Sequence, residues 1–358
     1  MALPLTAAFR DTMSATHSDS GALKAALATA LDSATCTIRT MALVTRSAGF
    51  AASKVQQARI FLADCSERLG VPEPKGPFKF ELVGDVLMVP EHALIEDVWN
   101  VPSVWAALAA IFGAGRVARK AKIDSGLLRQ SCVLMLYPAL GRPDTTGPGS
   151  PGWVTVVENK LPFSFDITRV MFCSGNVTER MRAARHPVKD EVIVDLYCGI
   201  GYYTVPFLAH GHAAFVHACE WNEDSVLSLR ENLRNAHGGD VSGRCTVYQG
   251  DNRLTVEQHP GLHDAADRVS LGLLPSSVEG WPLAVRCLKP TGGVLHIHEN
   301  VDERQRTQWL GDTCREFERL FAAAGKPMTA QCFHLEKVKS YAPHIDHVVA
   351  DVRMTPTP

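Results

Sequence analysis

The stretch VIVDLYCGIGYYTVPF, residues 192–207, constrains the fold of this chain more than any other. Its apolar start, which is rich in Val and Ile and stops at Asp195, predicts a short strand buried on both faces. Gly199 and Gly201 then form a turn, and a segment with helical spacing follows. Two glycines one residue apart after a strand let a ligand approach the backbone where a side chain would collide. The next helix is expected to direct free N–H groups at that ligand.

Two further predicted strands end in polar residues that suit a nucleoside. The apolar segment 213–220 ends in Glu220, 19 residues after the second glycine of the turn. A carboxylate at this position can accept hydrogen bonds from both hydroxyls of a ribose. The strand predicted at 245–249 is followed by Asp251 and Asn252, whose side chains can meet the edge of an adenine. Three consecutive strand ends therefore predict a site for S-adenosylmethionine.

Each part of this pattern also has a purely structural interpretation. Thr204 stands where the dinucleotide-binding fingerprint has its third glycine, so the turn alone is a weak signal. Asp195 can serve as a turn or helix-capping residue, and so can Glu220. The three strand ends, taken together, favour the cofactor site, with Asp195, Gly199 and Gly201 as candidate contacts.

The composition is that of an ordinary globular protein without a membrane span. The chain has 358 residues, 46% hydrophobic content and a net charge of −2. The longest apolar candidate, 101–112, is broken by Pro102 and is shorter than the roughly 18 residues that a span requires. The ten cysteines are scattered, and none forms a Cys-x-x-Cys pair. We therefore expect no metal site, a reducing compartment and a cytoplasmic location.

The order of predicted elements divides the chain into three parts. Residues 1–72 are expected to be a variable N-terminal extension, rich in Ala, Ser and Thr at its start. Residues 75–172 read as a small α+β domain of short strands and helices. Residues 173–358 alternate strands with helices, which predicts an α/β fold, a Rossmann-like, methyltransferase-type doubly wound sheet of about seven strands.

Two basic segments precede the predicted site. Residues 116–129 carry five basic side chains against one acid, and residues 169–189 carry five against Glu179. Such patches suit a large anionic acceptor such as a nucleic acid. Solvated helix faces are the structural alternative for each patch.

Seven sequence blocks, in order over more than 250 residues, resemble the tRNA wybutosine-synthesising aminocarboxypropyl transferases. This family is related to the tRNA guanine-37 N1-methyltransferases. The blocks are MFCSGNVTER (171–180), VDLYCGIGYYTVPFL (194–208), FVHACEWN (215–222), GDNR (250–253), LGLLPSSVEGWP (271–282), LHIHENV (295–301) and VKSYAPHIDHVV (338–349).

The resemblance implies an activity and a set of contacts. Members of that family bind S-adenosylmethionine and transfer its 3-amino-3-carboxypropyl group to C7 of 4-demethylwyosine. This base is at position 37 of phenylalanine tRNA, and methylthioadenosine is the by-product. By similarity, the cofactor contacts fall on Cys173, Arg180, Glu220, Asp251 and Asn252. The family usually has serine at the first of these positions. A monomer acting on the tRNA anticodon loop is expected.

Two other functions remain as alternatives. The first is N1-methylation of guanosine 37, whose enzymes resemble this chain but use an arginine where Gly175 stands and an Asn-Pro loop where residues 274–277 read Leu-Pro-Ser-Ser. The second is a non-catalytic RNA-binding relative. An intact glycine turn together with Glu220 argues against the second.

The residues that perform the proton transfer and hold the tRNA are less defined. Asp267, His298 and Glu299 are candidate proton acceptors, and each also has an ordinary structural interpretation, so the catalytic base stays unassigned. The candidates for stacking on the base and for phosphate contacts are Tyr202, Trp281, Tyr341, Lys337 and Lys339.

Overall fold

A computed structural model of the chain describes residues 53–74, 79–96, 99–121, 126, 130–138, 145–172 and 174–357. The described residues form two compact units. The first unit lies within residues 1–125, 131–154 and 167–169, and the second within 126–130, 155–166 and 170–358.

The described part of the first unit contains two helices and a four-stranded sheet. Ser53 caps the first helix, because its hydroxyl accepts a hydrogen bond from Gln56 N and the Gln56 side chain accepts one from Ser53 N. The strands pair in the order β1-β2-β3-β4, and β1 and β2 form a hairpin around Gly84 and Asp85. The elements are α1 (Lys54–Leu69), β1 (Glu81–Val83), β2 (Val86–Val89), α2 (Pro102–Phe112), β3 (Arg116–Arg119) and β4 (Leu134–Tyr137).

The core of the first unit lies between its helices and its sheet. Trp105 and Phe112 on α2 are buried together with Phe61 on α1 and Val117 on β3. Burial of such apolar side chains is the main favourable contribution to folding. The unit thus has its own core.

A two-stranded hairpin connects the units in sequence. It consists of β5 (Trp153–Glu158) and β6 (Leu161–Asp166), and its residues 155–166 group with the second unit. Ser164 N donates a hydrogen bond of 2.7 Å to Asn232 Oδ1 in that unit. The second unit resumes at residue 170, and most of the hairpin groups with it.

The second unit is built on a seven-stranded sheet with helices between its strands. A single 3₁₀ turn, 174–176, precedes its first helix. The helices are α3 (Val177–Ala183), α4 (Thr204–Ala209), α5 (Glu223–Arg234), α6 (Asn252–Gln258), α7 (Trp281–Cys287) and α8 (Arg306–Ala323). The strands are β7 (Val192–Asp195), β8 (Phe215–Glu220), β9 (Cys245–Gln249), β10 (Arg268–Leu271), β11 (Gly293–Asp302), β12 (Met328–Ala342) and β13 (Ile345–Pro356).

The strand order of this sheet is β12-β13-β11-β10-β7-β8-β9. Strands β11, β10, β7, β8 and β9 run parallel to one another, and β13 pairs antiparallel with both β11 and β12. The order reverses direction between β10 and β7, and ligands of doubly wound sheets bind beyond the strand ends at such a point. The prediction of a Rossmann-like sheet of about seven strands is confirmed.

The central strands are buried on both faces. Ile193 and Val194 of β7 and Val269 of β10 have no exposed surface, which confirms the burial predicted from the apolar run. On one face the sheet packs against Phe317 and Phe321 of α8. In the part of the chain that the structure describes, no helix has the length and apolarity that a bilayer crossing demands.

Candidate cofactor-binding site

The ends of β7, β8 and β9 meet at one edge of the sheet. The turn after β7 is bonded to β8, because Cys198 N donates to Cys219 O at 3.1 Å. The end of β9 is bonded to β8 as well, through Gly250 N and Glu220 O at 2.9 Å. The amide of Asn252 links the same segment to the turn after β7. The three strand ends predicted to form one site are therefore contiguous.

The glycine turn packs too closely for larger residues. Gly199 and Gly201 have φ values of 55° and 96°, a region that favours glycine. A Cβ atom on Gly201 would lie 2.7 Å from Leu229 Cδ1 of α5 and 2.7 Å from Val205 Cγ2 of α4. Asn232 Nδ2 donates to Ile200 O at 2.9 Å and fixes the turn from the same helix. The turn is thus a rigid cradle in which backbone atoms face the strand-end edge.

Glu220 holds this cradle at the end of β8. Its Oε2 accepts a hydrogen bond of 2.8 Å from Gly199 N, and its Oε1 accepts bonds of 2.8 and 2.7 Å from Trp221 N and Asn222 N. Burial raises the pKa of this carboxyl, although the three backbone donors oppose the rise. A carboxylate has about four acceptor positions, so capacity remains for a ligand hydroxyl.

Asp251 and Asn252 follow β9 and begin α6. Asp251 accepts a hydrogen bond of 3.0 Å from Arg253 N and forms an ion pair with the Arg253 guanidinium, which lowers the pKa of the carboxyl. Asn252 Nδ2 donates to Leu196 O at 2.9 Å. Both side chains lie beside the turn after β7, where the sequence predicts the adenine edge.

Asp195 lies beneath the turn. Its side chain has no exposed surface, and its Oδ2 accepts a hydrogen bond of 2.8 Å from Thr204 Oγ1 at the start of α4. Burial raises the pKa of this carboxyl to about 6. In this geometry Asp195 joins the end of β7 to the start of α4, so it supports the glycine turn from below. Direct contact with a cofactor stays a prediction.

Arg180 is buried and is held beside the turn by a half-buried acid. Its Nε and Nη2 donate to the two carboxylate oxygens of Glu158 at 2.6 and 2.7 Å. The guanidinium lies 4.9 Å from the ring centre of Tyr202, which directly follows the glycine turn. A carboxylate of a ligand would therefore meet an arginine that is already paired and fixed in orientation. Cys173, the other predicted contact near this helix, lies outside the described residues.

The three candidate proton acceptors lie in different places. Asp267 accepts a hydrogen bond of 2.9 Å from Val192 N at the start of β7, and it is thus at the opposite edge of the sheet from the glycine turn. His298 is buried, and its Nδ1 lies 3.0 Å from His347 Nε2. Glu299 is beyond the end of β10, on the same edge as the glycine turn.

Glu299 has the protonation behaviour of a general base. Burial raises the pKa of its carboxyl to about 7, although Ser276 Oγ donates a hydrogen bond of 2.9 Å to it. A general base works best when its pKa is close to the pH of the reaction. Of the three candidates, Glu299 alone combines this pKa with partial exposure at the expected edge.

A buried cluster of ion pairs was not foreseen from the sequence. His296 Nδ1 lies 2.6 Å from Asp351 Oδ1 and His296 Nε2 lies 3.2 Å from Glu179 Oε1, while Arg182 pairs with both acids. Although burial opposes it, the two carboxylates raise the pKa of His296. Similarly, His296 and Arg182 lower the pKa of Glu179 to about 2 against the effect of burial. These donors neutralise one another, so we assign them to ion pairing and not to a metal.

Several residues predicted to contact the tRNA are engaged within the protein. Trp281 is buried against Phe317, with ring centres 4.7 Å apart, so the prediction that it stacks on a base is wrong. Tyr202 packs under Arg180, whereas Tyr341 is 62% exposed and remains available for stacking.

In each predicted basic patch, two of the five basic side chains are paired with acids of the described residues. Arg116 pairs with Asp85 and Lys120 with Glu81 in the first patch. In the second, Arg180 pairs with Glu158, and Arg182 pairs with Glu179 and Asp351. Their charge for an anionic partner is therefore smaller than the sequence count indicates.

Comparison with known proteins agrees with the fold. The family described as the TRM5/TYW2 methyltransferase domain matches residues 154–324. The crystal structure of P. horikoshii TYW2 in complex with MeSAdo is similar with a TM-score of 0.62 and 27% identity, covering 82% of this chain and 99% of that one. The M. jannaschii tRNA m1G37 methyltransferase shares the fold at a TM-score of 0.58 and 15% identity, over 78% of this chain and 72% of that one. The chain is thus a Rossmann-like, S-adenosylmethionine-dependent transferase.

Curated relatives define the family more narrowly. The tRNA wybutosine-synthesizing protein 2 homolog of Danio rerio is 38% identical over 339 residues, which cover 84% of this chain and 78% of that protein. The human homolog is 35% identical and covers 79% of this chain and 70% of its own length. The chain therefore belongs to the tRNA wybutosine-synthesizing protein 2 family, and the resemblance stated from its sequence blocks is confirmed.

Proposed function

We propose that this protein transfers the 3-amino-3-carboxypropyl group of S-adenosylmethionine to C7 of 4-demethylwyosine at position 37 of phenylalanine tRNA. The observation that carries the proposal is the joining of β7, β8 and β9 ends by Glu220 in a chain 38% identical to a tRNA wybutosine-synthesizing protein 2 homolog. The absence of an Asn-Pro pair at residues 274–277 favours this transfer over N1-methylation of guanosine.

The residues of the site fit a nucleoside with a charged sulfur. The cradle at Gly201 has no room for a Cβ atom, and Glu220 retains capacity for ribose hydroxyls. When bound, S-adenosylmethionine supplies the arm: a C–C bond forms at C7, the C–S bond breaks with its electron pair on sulfur, methylthioadenosine leaves, and C7 loses its proton.

The chain's own groups have separate tasks in this proposal. Asp251 and Asn252 orient the adenosine, and Arg180, fixed by Glu158, orients the carboxylate of the arm. Glu299 takes the C7 proton through a bridging water in this proposal, because its pKa of about 7 leaves much of it ionised at neutral pH. Selecting one of three C–S bonds then depends on which carbon is aimed at the nucleophile.

The proposal also includes a cellular compartment and an oligomeric state. All eight cysteines of the described residues are free, which supports a reducing compartment, and we propose the cytoplasm. We also propose that the protein acts as a monomer on the anticodon loop.

Two labelled cofactors test the reaction. The protein is incubated with tRNA from cells that lack it, once with S-adenosylmethionine labelled in the methyl carbon and once with the label in the aminocarboxypropyl arm. We expect label from the arm alone to enter the tRNA, with methylthioadenosine as the by-product. Methyl label in the tRNA would identify a methyltransferase and overturn the proposal.

A pair of variants ties the reaction to the described site. Glu220→Ala is expected to lose cofactor binding by calorimetry, because the carboxylate both holds Gly199 and faces the ribose position. Glu257→Ala, which changes an exposed glutamate on α6, is the matched control and is expected to bind normally. Unchanged affinity in Glu220→Ala would remove this site from the proposal.

A further inference from the structure

A group of buried polar atoms at the last part of β11 and the first part of β13 has no partner among the described residues. It consists of both amide atoms of Asn300, Oδ1 of Asn176, Nε2 of His298 and Nδ1 of His347. An unpaired buried polar atom costs about 1–3 kcal/mol, so folded proteins rarely collect several in one place without a use. Their grouping points to a ligand that supplies the missing hydrogen bonds.

The sheet register shows that these residues form one surface. Asn300 on β11 is directly opposite His347 on β13, and His347 is directly opposite Lys339 on β12. Directly opposite residues of antiparallel strands lie on the same face. A Cβ atom on Gly175 would lie 2.9 Å from Lys339 Nζ, which brings the turn containing Asn176 over the same surface.

This surface is on the same edge of the sheet as the cofactor cradle. Asn300 N donates a hydrogen bond of 2.8 Å to Pro275 O, so Asn300 lies beside the loop that follows β10. That loop begins at Gly272, where a Cβ atom would lie 3.7 Å from the Tyr203 ring and 3.8 Å from Tyr197 O. Both tyrosines belong to the segment after β7. The cradle thus occupies the ends of β7 to β9, and the unpaired group occupies the neighbouring ends of β10, β11 and β13.

The chemistry of the surface suits a neutral, planar ligand. Burial holds the pKa of His298 well below its usual range and lowers the pKa of His347 to about 4. Both imidazoles are therefore neutral near pH 7, and Asn300 presents one donor and one acceptor. Lys339 on β12 is a cation on this face, and the charge of His296, two positions before His298, is neutralised by Glu179 and Asp351. Glu299 projects to the opposite face of its strand. Neutral donors and acceptors match the edge of a nucleobase better than a phosphate.

We propose that Asn300, with His347 and Asn176 beside it, forms the pocket for the acceptor nucleobase, an oxo-purine turned out of the anticodon loop. Asn300 Nδ2 donates to the ring carbonyl oxygen of that base. An asparagine amide is a common partner of purine edges, and each such contact discriminates by about 1–3 kcal/mol. The inference rests on the proposed function for the tricyclic form of the base. The loop at 274–277 contains no asparagine, and in this proposal Asn300 on the next strand supplies the side-chain amide.

The test measures which tRNA the protein prefers. Affinities are determined by fluorescence polarisation for phenylalanine tRNA with the tricyclic base and for the same tRNA with unmodified guanine. Asn300→Ala and the isosteric Asn300→Asp are compared with wild type and with Asn235→Ala, a control that changes an exposed asparagine at the end of α5. Calorimetry with S-adenosylmethionine and thermal melting are run in parallel.

We expect both Asn300 variants to bind the tricyclic tRNA about tenfold or more weakly, to bind unmodified tRNA almost unchanged, and to keep cofactor affinity within about twofold. The ratio of the affinity for tricyclic tRNA to that for unmodified tRNA therefore falls. Replacing an asparagine with a purely structural role would leave this ratio unchanged. An unchanged ratio, or equal losses for tRNA and cofactor, would overturn the pocket. If the Asn300 variants do not fold, the ratio for His347→Asn decides in the same way.

Failure of the proposed function gives a different result. If wild type transfers a methyl group to unmodified guanine, the reaction is wrong, but Asn300 variants would still lose affinity for that guanine. If the reaction is correct and Asn300 variants keep wild-type preference, only the pocket is wrong.

Discussion

We expect the unfolding free energy of Asp195→Asn, relative to that of wild type, to be higher at neutral pH than at acid pH. Asp195 has no exposed surface, and its Thr204 hydrogen bond does not offset the loss of water around a charged carboxylate. Burial therefore raises its pKa from 3.8 to about 6. An asparagine of the same shape can accept the Thr204 bond without ever ionising.

The size and sign of the effect follow from linkage. Between pH 3.8 and 6 the folded state binds more protons at Asp195 than the unfolded state, so wild-type stability falls as pH rises through this window. A pKa raised from 3.8 to about 6 corresponds to about 3 kcal/mol once both forms are ionised. The variant lacks this loss. Its stability relative to wild type is therefore expected to increase by about 2–3 kcal/mol between pH 4 and pH 8.

Urea unfolding followed by circular dichroism at several pH values between 4 and 8 measures this difference. The difference in unfolding free energy between variant and wild type at each pH cancels the contribution of groups that titrate in both proteins. Any cost of the amide that does not depend on pH leaves the change of this difference with pH unaffected. Asp240→Asn is the control, because Asp240 is exposed and hydrogen bonds from Ser242 lower the pKa of its carboxyl. Its small pH dependence should have the opposite sign. A difference between Asp195→Asn and wild type that does not change with pH would refute the reasoning.

Two other substitutions test the cradle and the buried ion pairs. Gly201→Ala places a Cβ 2.7 Å from Leu229 Cδ1 at a positive φ, so we expect a loss of about 2–4 kcal/mol in unfolding and weaker cofactor binding by calorimetry. Gly243→Ala, which has open space around its Cβ, should do neither, and equal effects would contradict the packing argument. Glu179→Gln leaves protonated His296 with one acid fewer and should cost about 3–5 kcal/mol in urea unfolding at pH 7. A cost below about 1 kcal/mol would mean that the pair is not formed.

The sequence predicted those parts of the candidate site whose residues are close together along the chain. The glycine turn, Glu220 and the Asp251 segment each follow a strand by a few residues, and parallel strands bring their ends to one edge. The fold was predictable for the same reason, because alternation of strands and helices leaves few sheet orders. The backbone hydrogen bond from Gly250 N to Glu220 O then follows from the pairing of β9 with β8.

The remaining contacts join residues that no local pattern connects. Glu158 and Arg180 are 22 positions apart, and Arg182 and Asp351 are 169 positions apart. An arginine in a basic segment gives no sign of whether an acid elsewhere in the fold will neutralise it. His296 could have indicated a buried polar contact, because a polar residue in a buried central strand needs a partner.

The strand order explains how one sheet can separate cofactor from acceptor. The reversal between β10 and β7 leaves the glycine turn on one side and the loop after β10 on the other, and the Tyr203 ring lies close to both. The residues proposed to hold the adenosine thus lie at the ends of β7 to β9, whereas Asn300 and Glu299 project to opposite faces of β11. A base bound over Asn300 would approach the cradle from the side of β10. Under the proposed function, the arm that Arg180 turns toward that side would be the group transferred, because the nucleophile would come from one direction only. On this hypothesis, selecting the aminocarboxypropyl arm would need no new catalytic group, only an arginine fixed by Glu158.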